Sequence, residues 1–229
     1  AKVRRLGGVV FCIGLIEDKK MASLRSYYNK RLTEPGRKEG IRQSFYDFQT
    51  YLAAGQLSMI FFQVPTGQSG KTLDDTNMVL AGQLPSGWKF IAESLEFYFF
   101  PGVSPGAVLA GVAPQFTNDV YAVGKSGAVN ITVGSKPYLD EAPIMRFPPK
   151  TGLSVQAALG VATTVAATTP VAEVDYARFA GRPYQLNPVL PIVANLSFSV
   201  EINWKALVAL PSGVAGRLGA VLDGVLFRE

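Results

Sequence analysis

The segment Leu196-Ser197-Phe198-Ser199-Val200-Glu201-Ile202-Asn203-Trp204 carries a large apolar side chain at every second position and a polar one between. Successive side chains of an extended chain point to opposite faces, so this run reads as a strand with one buried and one wet face. Less regular versions occur at Phe45–Leu52, Leu57–Val64, Lys89–Phe100, Ala128–Val133 and Arg217–Phe227. Turn formers join them: Ala54-Gly55-Gln56, Pro65-Thr66-Gly67, Pro85-Ser86-Gly87, Pro101-Gly102 and Pro211-Ser212-Gly213. No long amphipathic helix falls between these runs, which argues against parallel βαβ units. The expected fold is all-β, an antiparallel β-sandwich built as a single jelly roll over residues 43–229. With strands of about 5–6 residues plus loops, that length holds about eight to ten strands, not the sixteen or so of a double roll.

Composition removes most chemistry. With 48% apolar and 17% charged residues the chain of 229 residues is not disordered, and 23 Gly with 15 Pro exclude a coiled coil. The absence of histidine excludes Ser-His-Asp and Cys-His nucleophiles, His-ligated zinc and His bases. Cys12 is the sole cysteine and lies outside the expected domain, so no internal disulfide forms. Carboxylate or lysine chemistry, or none, remains.

Charge is concentrated at one end. Residues 1–42 hold eleven Lys/Arg against four acids, a net +7, whereas 43–229 hold eleven against thirteen, a net −2. A basic arm on a near-neutral body suits salt-sensitive contact with nucleic acid or an anionic membrane surface. The candidate contacts are Arg25, Lys30, Arg31, Arg37, Lys38 and Arg42, on an arm spanning 21–42. A solvated tail is the plainer alternative. Within the arm, Ser23 can cap a short helix in which Leu24, Tyr27, Tyr28 and Leu32 recur at helical spacing before Glu34-Pro35-Gly36. Upstream, the apolar run Leu6–Ile16 is too short to span a bilayer, and Glu17-Asp18-Lys19-Lys20 stands where a signal cleavage site would lie. Met21-Ala22-Ser23 reads as an ordinary start, so residues 1–20 are expected to be upstream sequence from a misplaced start; a short membrane anchor is the alternative.

Several motifs invite a chemical reading. Pro65-Thr66-Gly67-Gln68-Ser69-Gly70-Lys71-Thr72 resembles a phosphate loop, but Pro65 replaces its first glycine and offers no N–H, and Asp74 and Asp75 follow where an anion would sit. A polar inter-strand loop is expected there. Adjacent Asp74/Asp75 and Asp140/Glu141 diverge along an extended chain, and Glu93 and Glu96 are expected on opposite faces of a strand, so no carboxylate pair for glycoside hydrolysis is evident. Asp74-Asp75-Asn77 lacks the alternating oxygen ligands of a calcium loop. Asn130-Ile131-Thr132 and Asn195-Leu196-Ser197 match the glycosylation triplet but fall on expected strands. The uncharged Ala/Thr-rich stretch Thr151–Ala172 is expected to be an insertion, a long loop or a weak strand pair. No catalytic residue, metal ligand or cofactor is assigned.

Two groups of segments resemble a known family. The first is Phe61-Phe62-Gln63-Val64-Pro65, Gly70-Lys71-Thr72-Leu73, Asp75-Thr76-Asn77-Met78 and Ala81-Gly82-Gln83-Leu84-Pro85, leading to Phe99-Phe100-Pro101-Gly102. The second is Leu210-Pro211-Ser212-Gly213, Gly216-Arg217-Leu218-Gly219 and Leu222-Asp223-Gly224-Val225-Leu226-Phe227-Arg228. Together, over about half the chain, they resemble coat proteins of small tailless icosahedral bacteriophages, whose capsomers are β jelly rolls. The resemblance implies a non-enzymatic, self-assembling capsid subunit, forming trimeric or pseudo-sixfold capsomers with itself and contacting other capsid proteins. It places the protein in the virion, assembled in the bacterial host cytoplasm. The rival reading is a carbohydrate- or receptor-binding β-sandwich of a phage or surface appendage, with Trp88, Tyr121, Tyr138, Tyr176 and Tyr184 as candidate contacts.

Overall fold

A computed structural model describes residues 39–103, 115–160, 169–179 and 183–228, with 151–160 and 169–179 described by their backbone pairing. The segment expected to be upstream sequence, Cys12, the helix from Ser23, and Arg25, Lys30, Arg31, Arg37 and Lys38 lie outside the described residues. The elements are β1 (Glu39–Tyr51), β2 (Ser58–Phe61), β3 (Lys89–Phe100), α1 (Gln115–Gly124), β4 (Ala128–Val133), β5 (Lys136–Pro143), a 3-10 turn (Ile144–Arg146), β6 (Thr151–Gly160), β7 (Thr169–Phe179), β8 (Tyr184–Val193), β9 (Phe198–Asn203) and β10 (Gly216–Arg228).

The strands form two antiparallel four-stranded sheets packed as a sandwich, in the orders β1-β10-β3-β8 and β2-β9-β4-β5. Among the described residues, strands β6 and β7 pair antiparallel with each other alone, and they fall between β5 and β8 in the chain. Four of the pairings are nested: β1 with β10, β2 with β9, β3 with β8, and β4 with β5.

Alternation puts the core between the sheets. Phe198, Val200 and Ile202 of β9 and Val129, Ile131 and Val133 of β4 meet Phe90, Leu95 and Phe97 of β3 and Leu218, Ala220 and Leu222 of β10. Aromatic rings fill it, with Phe61–Phe97 centroids 6.1 Å apart and Tyr51–Trp204 5.4 Å apart. Burying each large apolar side chain contributes about 1.5–3 kcal/mol, which makes this layer the main source of stability.

Two strands, Lys89–Phe100 and Ala128–Val133, have the bounds expected from sequence. Strand β9 starts at Phe198, later than the alternation suggests, because 194–195 form a turn with Asn195 at φ 66°. Asn195-Leu196-Ser197 therefore lies in a turn and not on a strand. Strand β1 begins at Glu39, where Glu39↔Arg228 to Arg42↔Val225 already pair, so the expected arm–body boundary at 42/43 falls inside a sheet. Two edge strands, β5 and β8, carry Pro137, Pro143, Pro188 and Pro191, residues that mask a strand pattern yet are tolerated where one side of the backbone needs no partner. Helix α1 is an element the period-two reading missed.

The core assignment yields a direct test. Ile202 is 0% exposed. Ile202→Asp buries a carboxylate without a partner, costing more than about 4 kcal/mol, and is expected to leave no folded protein by far-UV circular dichroism. Glu201→Gln, on the wet face, should shift stability by no more than about 0.5 kcal/mol.

Candidate functional site

The outer face of the β1-β10-β3 sheet is unlike an ordinary wet face. The register sets Ser44, Tyr46 and Phe48 of β1 opposite Asp223, Val221 and Gly219 of β10. It then sets Val221, Gly219 and Arg217 opposite Glu96, Tyr98 and Phe100 of β3. Gly219 is required here: a Cβ would fall 2.1 Å from the Phe48 ring, which lies across the β10 backbone. Over this gap Phe48 and Phe100 approach to 6.0 Å at 30°, with Tyr98 6.2 Å beyond Phe100 and Tyr46 6.2 Å from Phe48. The Arg217 guanidinium sits 4.7 Å over Phe48 and bonds Asp75 at 2.7 Å.

Next to the rings lies a charged cluster. Glu96 is 1% exposed; its Oε2 accepts from the Tyr98 hydroxyl at 2.8 Å and the Lys150 N–H at 2.9 Å. Its Oε1 makes no hydrogen bond and lies 3.2 Å from Lys150 Nζ. Lys150 also pairs with Asp223, which accepts from the Ser44 hydroxyl. Arg42 pairs with Glu93. Glu93 and Glu96 were expected on opposite faces; a bulge at Ala92/Ser94 against β8 and at Asp223/Gly224 against β10 adds a residue and brings both to the outer face. Two shallow cavities, of 380 and 420 Å³, share Ser44, Lys150 and Asp223 and join the charged and aromatic halves.

The other sequence candidates have structural partners. The loop containing Gly67, Gly70 and Lys71 binds Asp47: this carboxylate is 0% exposed, accepts the Phe62 N–H at 2.6 Å and pairs with Lys71. Phe62 stands at φ 71°, a conformation costly for phenylalanine, and that hydrogen bond holds it. Lys71 is thus committed to a buried acid. Asp75 accepts from the Thr72 N–H (3.0 Å) and hydroxyl (3.1 Å), and its carboxyl is held below the usual range chiefly by that N–H, then by the hydroxyl and Arg217. Asn77 caps Ser44 O and Tyr46 N (2.7 and 3.1 Å). Asp74, Asp140 and Glu141 are exposed, and Asn130 Oδ1 accepts the Glu141 N–H at 2.7 Å.

The expected aromatic contacts are not gathered in one groove. Trp88 packs on the core under Arg228, and Tyr184 packs on Phe147 under Arg146. Tyr121 is exposed on α1 and Tyr138 on β5; the side chain of Tyr176 lies outside the described residues. The rings that do cluster occur as Tyr46-Asp47-Phe48 and Tyr98-Phe99-Phe100, an outward alternation visible in the sequence once the strand register is known. A third, apolar cavity of 380 Å³ lies between α1 and β3, lined by Phe116, Val120, Val123, Phe97, Phe99 and Phe147. Among the described residues no helix is long and apolar enough to cross a membrane. Comparison of the chain with family models, curated proteins and solved structures finds no significant match.

Two tests follow from the loop anchors. Lys71→Met strands the Asp47 carboxylate and should cost about 3–5 kcal/mol by urea denaturation. The Asp75 anchor, whose carboxyl titrates below its ordinary 3.8, is at full strength above that value and is lost as pH falls through the folded pKa. Amide protection factors in 72–78, with the intrinsic pH dependence of exchange divided out, should therefore hold from pH 7 to about 4 and fall at lower pH, and Asp75→Asn should abolish the acid step.

Proposed function

We propose that the chain is a self-assembling coat subunit of an icosahedral bacteriophage whose sandwich is a single jelly roll, and that it has no catalytic role. The observation that carries this reading is the nested pairing of β1 with β10, β2 with β9, β3 with β8 and β4 with β5. It is the order obtained when one long antiparallel hairpin is rolled over itself into two four-stranded sheets, an architecture used by viral capsid and lectin domains. The two groups of family-like segments also come together: 72–78 cover one edge of β1 while 216–228 pair along its other.

In this reading the subunit associates with itself as a trimer or pseudo-sixfold capsomer and with other capsid proteins. Its basic arm faces packaged nucleic acid or an inner membrane surface, and the particle forms in the bacterial cytoplasm. Arg25, Lys30, Arg31, Arg37 and Lys38 carry the arm's role. Arg42, engaged with Glu93 on the sheet, contributes less.

Removal of residues 1–38, which stops short of β1, should leave the circular dichroism of the sheets intact and abolish salt-sensitive retention on immobilised DNA. Electron microscopy of the purified full chain across a salt series should show closed shells. DNA retention unchanged by the truncation would refute the arm's role, and the absence of any particle or capsomer would refute the coat reading.

A further inference from the structure

We propose that the outer face of the β1-β10-β3 sheet is a binding groove for a neutral saccharide. The inference is independent of the coat reading. A sugar ring presents C–H faces that pack on aromatic rings and a rim of hydroxyls that both donate and accept, so its site needs rings beside interleaved polar groups. This face supplies both. Phe48, Phe100, Tyr98 and Tyr46 form a connected row, and Phe100 is 44% exposed. The adjoining cavities offer Ser44, Lys150, Asp223 and Gln185 along the same line.

Charge selects against other ligands. Arg42 is neutralised by Glu93, Arg217 by Asp75, and Lys150 lies between Glu96 and Asp223. These three cations and four acids leave the groove one net negative charge, which gives a phosphate backbone nothing to bind and a polycation only a weak field. The opposite sheet supplies an internal contrast. Its outer positions on β2, β4 and β9, including Ile60, Asn130, Thr132, Ser199 and Glu201, carry no aromatic ring.

Glu96 explains how the groove is held in shape. A buried carboxylate on the outside of a sheet is costly unless its oxygens are engaged. Here it fixes the Tyr98 hydroxyl and holds the Lys150 ammonium in the lining shared by both cavities, ordering these groups before any ligand arrives. Glu96 is thus a positioning residue, while Phe100 and Lys150 would touch the sugar.

The test uses the full-length chain and neutral maltose-, cellulose-, chitin- and galactan-derived oligosaccharides. Binding is read by saturation-transfer NMR and titration calorimetry. At least one probe should bind, broadening the Phe100 and Tyr98 ring signals. Phe100→Ala should weaken it about tenfold, equivalent to about 1.4 kcal/mol, with the circular dichroism unchanged; Phe100→Tyr should restore it. Glu96→Gln should weaken binding without loss of the ring contacts. No binding by any probe, or binding unaffected by Phe100→Ala, overturns the proposal. A Phe100→Ala chain that loses self-association while no probe binds the parent would make this face a contact between copies and overturn it equally.

Discussion

Two four-stranded sheets present four edge strands, and the unpaired backbone along an edge invites pairing with any other strand. Three devices manage them here. Strand β2 is four residues long. Strands β5 and β8 carry prolines. Strand β1, thirteen residues long, is covered instead: Phe48 N–H bonds Asp75 O at 2.7 Å, Thr76 Oγ1 donates to Tyr46 O at 3.0 Å, and Asn77 takes Tyr46 N–H and Ser44 O next along the edge. The cover stays in place because it is tied at both ends. Asp47, facing inward from β1, holds Lys71 and the Phe62 N–H; Arg217, facing outward from β10, holds Asp75. Without these ties the longest edge of the sandwich would be open.

The same arrangement disposes of the most suggestive motif. Gly67, Gly70, Lys71 and Thr72 look like a phosphate cradle, but the lysine's partner is a buried aspartate of the adjacent strand and the glycines serve turns, at φ 85° and 77°. Proline at position 65 was the legible clue, since a cradle needs the N–H it lacks. The identity of the lysine's true partner was not legible: Asp47 stands between Tyr46 and Phe48 on a strand with several other polar residues, and only the fold brings it within reach.

Much of the fold was written in the local pattern. Strands β3, β4, β9 and β10 could be drawn from alternation alone because one face of each is continuously buried. What escaped did so for physical reasons. Strands β5 and β8 are edges rich in proline, α1 is only ten residues long, and the bulge near Glu93 reverses the facing of everything beyond it. The aromatic face was least legible, since Tyr46, Phe48, Tyr98 and Phe100 meet only across Gly219 of a strand more than a hundred residues away. Tyr121 and Tyr138, candidates for a cluster of aromatic contacts, are instead exposed on separate elements, α1 and β5.

The proposed role of the sandwich is association with copies of itself, which guarded edges suit because they leave the outer faces and loops as the contact surfaces. The most direct measurement is the native mass of the full chain by multi-angle light scattering over a range of concentration and salt. A coat subunit should give a trimer or a larger closed assembly whose mass rises as salt is varied. A monomer of 24.6 kDa at every concentration and salt would contradict it.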